Sequence, residues 1–437
     1  VTDQIRSAKA SAAVSTPKKQ NEQPSAKAQS VTAPNAKAHS VTAQSANAPS
    51  AKAPVVGPNV PLSETAQATN GSGTGSSGRQ HRSPRRTNSA KRPHANRRNS
   101  PLYAALDLGT NNCRLLIVRR EERGFRVVDG FTRIVRLGEG LSKTGLLNDA
   151  AMDRTYDALA QCAAKLAHHA PKKYRLIATQ ACREAANADE FLARVKRNTG
   201  MDVEIIDQKT EARLAVTGCS DLVEKSTMGA LLFDIGGGSS ELAWLDFRGG
   251  RPKQNGKMAT AIRSWQSLPF GVVTIAEKFG GADVSPEKFE EMVAYVAAQL
   301  RHFRGSHKLK QMIKEHPVHL IGTSGTVTTL AGLHLGLERY ERSKVDGLWM
   351  SSEQLTDTMR VLQAMPYDRR MANPCIGKDR AGLIIPGCAI FEAIRREWPT
   401  KMVRIADRGL REGILISLIE ADRAKSTNKR FKQKRRI

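Results

Sequence analysis

The pattern of apolar and polar positions changes abruptly near Leu102. Before it, residues 1–100 hold scattered Ala, Val and Ser, with almost no large apolar side chain after Ile5. A decapeptide echo, AKAQSVTAPN followed by AKAHSVTAQS, starts at Ala26. Such a segment cannot bury enough apolar surface to offset its ordering entropy, so disorder is expected. From Leu102 onward YAALDLGTNNCRLLIVRR reads as strand, glycine turn, strand, and FRVVDGFTRIVRLG extends the alternation into a third strand. Helical spacing follows from Asp149 to His168, through Met152, Leu159, Cys162 and Leu166. Then come a strand at Tyr174–Ala178, a helix at Asn187–Asn198, a strand at Val203–Ile206 and a helix at Thr210–Asp221.

The order restarts at Met228. GALLFDIGGGSSELAWLDF is again strand, glycine turn, strand, and Ile262–Leu268 supplies a third strand. Helices are predicted at Val272–Lys278, Pro286–Phe303, Val327–Leu335, Ser352–Ala364, Arg380–Trp398 and Leu410–Asp422, with strands at Val318–Ile321 and Met402–Ile405. Two halves that open alike predict a duplicated α/β unit with a cleft between the copies. The expected organisation is a basic leader over 1–100, a first α/β domain over 101–226, a second over 227–422 and a basic tail over 423–437. The last helix is free to return to the first domain.

Charge changes the picture of the ends, not of the body. The 437 residues carry 69 Lys and Arg against 42 Asp and Glu, a formal charge of +27, of which +12 belongs to residues 1–100 and +8 to 423–437. The extreme basicity therefore belongs mostly to the tails, where RQHRSPRRTNSAKRPHANRR (from Arg79) and KRFKQKRR can meet RNA or another polyanion through phosphate charge alone. A solvated tail with no dedicated partner is the competing reading. The acid-poor leader has the composition of a transit peptide but no amphipathic period. No apolar run reaches the ~20 residues of a membrane helix, so a cytoplasmic protein with no membrane partner is expected. Six scattered Cys show no zinc or redox spacing and read as reduced thiols.

The chemistry sits at the turns. In Asp107-Leu108-Gly109-Thr110-Asn111 and Asp234-Ile235-Gly236-Gly237-Gly238-Ser239 an acid ends a strand and glycine lets successive N–H groups face an anion, with hydroxyl and amide donors beside them. The acids would repel phosphate, so Asp107 and Asp234 are expected to hold Mg²⁺ or its waters against phosphate oxygens. A third turn, Gly322-Thr323-Ser324-Gly325-Thr326, opens a helix whose dipole favours phosphate. On the residues alone, Glu211 also fits a first-turn carboxylate on its helix, Glu241 an outward strand residue and Arg183 a surface charge beside Glu184. His316 and His319 read as loop and strand residues rather than metal ligands, and His168-His169 as a helix end.

Taken in order, ALDLGTNN, ATQACREAANADEFLARV, EIIDQKTEARL, LLFDIGGGSSEL, LIGTSGTVTTLAG and ADRGLREGIL resemble the exopolyphosphatase/guanosine pentaphosphate phosphohydrolase (Ppx/GppA) family over about residues 101–422. The resemblance implies duplicated ribonuclease H-like domains of the actin, heat-shock chaperone ATPase and sugar kinase superfold. It also implies Mg²⁺-dependent hydrolysis of the terminal phosphoanhydride of inorganic polyphosphate, of guanosine pentaphosphate, or of both. Glu211 of KTEAR is then the carboxylate that activates water, Glu241 the second catalytic acid near the metal, and Arg183 of ACREAAN a phosphate-holding arginine. The phosphate-binding set becomes Gly109, Thr110, Asn111, Arg183, Gly236, Gly237, Gly238, Ser239, Gly322, Ser324 and Gly325.

Three departures stand out. Cys113 replaces a hydroxyl residue that is frequent in relatives, SLPFGVV lacks an arginine that some relatives place before its glycine, and the extra C-terminal helical domains of longer members are missing. These point to a shorter substrate or altered processivity, and leave a homodimer open. The alternatives are a kinase or ATPase of the same superfold, and a nucleic-acid-associated module whose phosphatase body is vestigial.

Overall fold

The structure is a computed structural model that describes residues 100–434 except 123, 253 and 254; side chains at 255, 256 and from 426 onward are not described. The leader and the last cationic residues, with their expected polyanion contacts, lie outside the described residues.

In the first lobe β1 (Leu102–Leu108), β2 (Asn112–Arg120), β3 (Phe125–Ile134), β4 (Lys173–Ala178) and β5 (Glu204–Ile205) form a five-stranded sheet in the order β3-β2-β1-β4-β5. In the second, β6 (Gly229–Ile235), β7 (Ser240–Asp246), β8 (Ile262–Leu268), β9 (Val318–Thr323), β10 (Trp349–Ser351) and β11 (Met402–Ala406) form a six-stranded sheet in the order β10-β11-β9-β6-β7-β8. Apart from the edge strand β10, the second order repeats the first. The strand directions repeat too: β1 runs antiparallel to β2 and parallel to β4, and β6 runs antiparallel to β7 and parallel to β9. The fold is the duplicated ribonuclease H-like α/β architecture of the actin superfold.

Both faces of each sheet are covered, which is why β1 and β6 read as near-continuous apolar runs. On one face of β1, Ala104, Leu106 and Leu108 pack with Leu159 and Cys162 of helix Asp149–His169 and with Phe191 of helix Ala188–Thr199. Complete burial of Leu159 or Phe191 is worth about 1.5–3 kcal/mol each. Helix Asp149–His169 starts where the Asn148 side chain accepts the Ala151 N–H at 2.8 Å, an N-cap that satisfies one of the free first-turn donors.

Two helices bind the lobes together. Gln208–Gly218 follows β5 yet lays Ala215 and Val216 on Ala230, Leu232 and Ala243 of the second sheet. Leu410–Lys434 follows β11 yet lays Ile414, Leu415 and Ile419 on Tyr103, Ala105, Leu116 and Val118 of the first. At their crossing a Cβ on Gly413 would lie 1.9 Å from Leu214 O, so only bare backbone permits this approach. Farther along, Asp422 accepts hydrogen bonds from Tyr103 (2.8 Å), Lys172 (2.7 Å) and Lys173 (2.7 Å) of the first lobe.

Several elements differ from the sequence expectation. The last helix runs to Lys434 rather than ending at Asp422, because the Ala, Lys, Arg and Gln that follow are helix formers and no Gly or Pro stops it. The helix expected from Arg380 begins at Ile384, after a turn containing Gly377 and Gly382. Helices Gln180–Glu184 and Ser306–Glu315 and strand β10 were not anticipated. The six cysteines are free and buried, and among the described residues no helix is long and apolar enough to cross a membrane.

Candidate active site between the lobes

The two Asp-x-Gly hairpins meet at a cleft of about 820 Å³. Each turn is closed by the same bond: Gly109 N–H donates to Asn112 O and Gly236 N–H to Ser239 O, both at 2.9 Å. The glycines do not serve the backbone angle, as the sequence suggested, since none of Gly109, Gly236, Gly237 and Gly238 has positive φ. Gly236, Gly237 and Gly238 serve close approach, whereas a Cβ on Gly109 would meet only Asn112 O, at 3.6 Å. A Cβ on Gly238 would lie 2.4 Å from Gln180 Oε1, and one on Gly237 3.1 Å from Thr110 Cβ, so the second loop reaches the first lobe only because it lacks side chains.

Asp107 and Asp234, at the ends of β1 and β6, line the cleft. Neither carboxylate makes a hydrogen bond or ion pair among the described residues. Burial drives Asp234 up to about 7, helped by the Glu241 charge and opposed by Arg114. Asp107 is raised by burial, against Arg114 and Arg411.

The cross-strand partner of Asp234 is Glu241, only 3% exposed. Ser239 Oγ (2.6 Å) and Ser267 Oγ (2.8 Å) both donate to its Oε1. Burial raises the Glu241 carboxyl despite these two bonds. Glu211, in the first turn of helix Gln208–Gly218, also lines the cleft; burial and the charge of Glu241 hold it well above the usual carboxylate range, against Arg183. The charge of Glu241 thus favours the protonated form of Glu211.

Around these acids lie unsatisfied polar groups. The backbone N–H groups of Thr110, Asn111, Gly237 and Gly238 make no hydrogen bond among the described residues. Asn111 Oδ1, Gln180 Oε1 and Ser324 Oγ are buried without partners. Ser324, at φ 121°, precedes helix Gly325–His334 and caps it with no side-chain bond. Such a backbone costs about 1–3 kcal/mol and recurs at ligand clamps. Its free hydroxyl and the helix N-terminus together suit a phosphate.

Comparison with known proteins places this geometry. The sequence profile of the Ppx/GppA phosphatase family matches residues 116–422. The chain belongs to the Ppx/GppA family. The Aquifex aeolicus family member is 25% identical over 74% of this chain and 98% of its own, with a TM-score of 0.60. An exopolyphosphatase from Cytophaga hutchinsonii is 25% identical over 73% of this chain and 98% of its own, with a TM-score of 0.64. An exopolyphosphatase-like protein is 27% identical over 72% and 98%, with a TM-score of 0.62. The profile match begins after the first Asp-x-Gly turn, so that turn is tied to the site by its pairing with the second.

Within this Ppx/GppA cleft the structure gathers Asp107, Gly109, Thr110, Asn111, Glu211, Asp234, Gly236, Gly237, Ser239, Glu241, Ser324 and Gly325. It does not bring Arg183, Gly238 or Gly322 to the lining. Arg183 donates to Glu211 Oε2 (3.1 Å) and Ile206 O (2.9 Å), and its Nη2 is buried without a partner. Gly322 lies inside β9, where a Cβ would strike the Phe233 ring at 2.5 Å, so it serves packing. Cys113 is fully buried in the first-lobe core and does not line the cleft, so the exchange there removes no cleft donor. His319 is buried in β9 against Trp349, which lowers its imidazole to about 4.

The arginines of the cleft were missed by sequence reasoning. Arg114, Arg133, Arg380 and Arg411 line it and make no ion pair among the described residues, whereas Arg342 is tied to Glu412 (2.8 Å) and Arg408 to Asp346. For Arg114 a signal existed: it follows Asp107 by the interval that separates Glu241 from Asp234.

Proposed function

We propose that the protein hydrolyses terminal phosphoanhydride bonds of inorganic polyphosphate or guanosine pentaphosphate, releasing orthophosphate, with Mg²⁺ as cofactor. The observation that carries this reading is one cleft that gathers a coupled carboxylate pair, two further unpartnered carboxylates and a set of unsatisfied donors. Asp107 and Asp234 fit a divalent cation through their donor chemistry: hard oxygen ligands, uncommitted and costly to leave charged without one. Among the described residues no group of three or more His, Cys, Asp and Glu is arranged to hold a metal, so waters and substrate oxygens would have to complete the coordination of the ion. When bound, the cation supplies charge neutralisation at the phosphate oxygens.

The protein's own groups do the rest. The N–H groups of Thr110, Asn111 and Gly237, with Ser324 and the helix at Gly325, hold phosphate oxygens, and Arg114 and Arg411 balance their charge. Glu211 takes a proton from the attacking water as the new O–P bond forms and the bridging P–O bond breaks, the electron pair leaving with the shortened chain. Arg183 orients Glu211 rather than holding substrate. Glu241, fixed by two serine hydroxyls, sets the charge that keeps Glu211 basic enough to accept the proton. Polyphosphate is favoured over the nucleotide because, among the described residues, Tyr340 is the one aromatic in the lining, and its hydroxyl donates to Asp407 at 2.7 Å.

Orthophosphate release by the purified full chain, with polyphosphate and guanosine pentaphosphate as separate substrates, tests this. Release that stops with chelator and returns with Mg²⁺ is expected. No release from either substrate would leave the body vestigial, and phosphate transfer from ATP to a sugar without release to water would make it a kinase.

A further inference from the structure

A second cavity, of about 750 Å³, lies in the second lobe. The β7–β8 pairing sets Glu241 opposite Ser267 and Trp244 opposite Ser264. Trp244 and Ser264 line the cavity, so it sits about 10 Å along the hairpin from Glu241. Its cations come from three elements: Arg263 on β8, Arg301 and Arg304 just beyond helix Pro286–Leu300, and Lys308 in the first turn of helix Ser306–Glu315, with the His307 side chain beside it. All five are exposed and none makes an ion pair among the described residues.

What separates this cavity from the cleft is its charge balance. Among the described residues six arginines line the cleft against seven carboxylates, whereas no carboxylate lines the second cavity. The nearby acids are already paired, Asp246 with Arg248 (2.7 Å) and Glu397 with Lys310 (2.8 Å). A cation at a helix C-terminus complements the dipole, which accounts for Arg301 alone.

Further donors accompany the cations. Gly305, at φ 90°, precedes helix Ser306–Glu315 and offers no side-chain cap. Ser306 N–H is used by Phe303 O (3.0 Å), but the N–H groups of His307 and Lys308 have no partner among the described residues. Trp244 lines the cavity with the Cε3–Cζ3 edge of its ring toward Gly305, so its buried indole N–H adds no donor there. The loop is fixed in place, since Ser264 Oγ donates to Arg304 O at 2.5 Å and a Cβ on Gly305 would lie 3.2 Å from the Trp244 ring.

We propose that this cavity is a second binding site for an inorganic polyphosphate chain, remote from the cleft. The proposal rests on the hydrolase reading only for the identity of the anion; a cluster of cations with no acid beside them favours a polyanion in any case. A single-stranded nucleic acid is disfavoured because it binds largely by stacking bases on rings. Here Trp244 and Phe303 are buried, and Trp265 is half-buried against the lobe's core. The site would give the enzyme a preference for long chains although SLPFGVV lacks the arginine that some relatives carry.

The test uses the full chain in chelator, where polyphosphate is not consumed, and measures binding of labelled long-chain polyphosphate to wild type, Arg301→Glu/Arg304→Glu and a control of equal charge change, Arg197→Glu/Arg369→Glu. The Arg301/Arg304 variant should bind at least about tenfold more weakly, with its salt slope reduced by about 2. Its melting temperature and its Mg²⁺-dependent turnover of tripolyphosphate should match wild type. Binding as tight as the control's would overturn the proposal. So would a single-stranded oligoribonucleotide of equal charge that binds as tightly as polyphosphate and is lost in the same variant, or orthophosphate binding that matches the long chain's. If wild type hydrolyses nothing and the variant still loses polyphosphate, the cavity stands and the hydrolase reading falls.

Discussion

In the first lobe the seventh residue after the turn aspartate is Arg114, paired across β1 and β2 with Asp107; in the second lobe the seventh after Asp234 is Glu241, paired across β6 and β7. The backbones follow one plan, down to the same turn-closing hydrogen bond. The charge at the equivalent position is opposite. Arg114 pulls both aspartates toward their ionised forms, whereas Glu241 pushes Asp234 and Glu211 toward their protonated forms. The duplicated turn thus carries opposite charges at one equivalent position. Under the proposed function the cationic copy balances substrate charge, and the anionic copy manages protons.

The largest expected effect comes from breaking the anionic copy. Glu241→Gln should lower kcat about 10²–10⁴-fold while tripolyphosphate binding stays within a few-fold, because the amide keeps the size but removes the charge that sustains Glu211 as base. Arg114→Gln should instead raise KM about tenfold or more, since a charged hydrogen bond to phosphate contributes about 1.5–3 kcal/mol, with kcat changed less. Steady-state kinetics on both variants decide the matter, and equal losses of kcat would erase the division of labour.

The duplicated fold was legible because each hairpin carries its own glycine turn between apolar runs, and the acids at the strand ends stand out against them. The helix crossing was not, because nothing local in Gly218 or Gly413 says which backbone it must approach. The partnership of Arg183 with Glu211 was hidden for the same reason: the residues are 28 apart and meet only when helix Gln180–Glu184 and helix Gln208–Gly218 fold together. The cleft arginines looked like ordinary surface charge, and only cross-strand register shows Arg114 to be the counterpart of Glu241.

A smaller effect concerns the metal. Asp107→Asn and Asp234→Asn should each raise the Mg²⁺ concentration for half-maximal activity, about tenfold by analogy with the loss of one carboxylate partner, with partial rescue by excess Mg²⁺. Mg²⁺ titrations of phosphate release check this. Curves that overlay wild type while activity is lost would mean that the aspartates serve the turns alone.

The smallest effect is on stability without metal, and it sets the two hairpins against each other directly. An unfolded aspartate titrates near ~3.9, whereas folded Asp234 is raised to about 7. The folded state therefore holds the proton more tightly, so stability from this group is complete below about pH 4, declines as pH rises toward about 7 and stays low above it. If the proposed Mg²⁺ site is right, the ion takes the place of that proton, and its stabilisation should be larger at pH 8 than at pH 5. Asp234→Asn removes the buried charge and should raise the melting temperature of the metal-free protein at pH 8 by about 1–3 °C, while leaving it nearly unchanged at low pH. Asp107→Asn should gain less, because Arg114 and Arg411 already compensate Asp107, whereas Asp234 faces Glu241. Thermal melts of both variants in chelator at pH 5 and pH 8 measure the difference. A larger gain from Asp107→Asn would show that the opposite charges at the two equivalent positions do not govern the aspartates beside them.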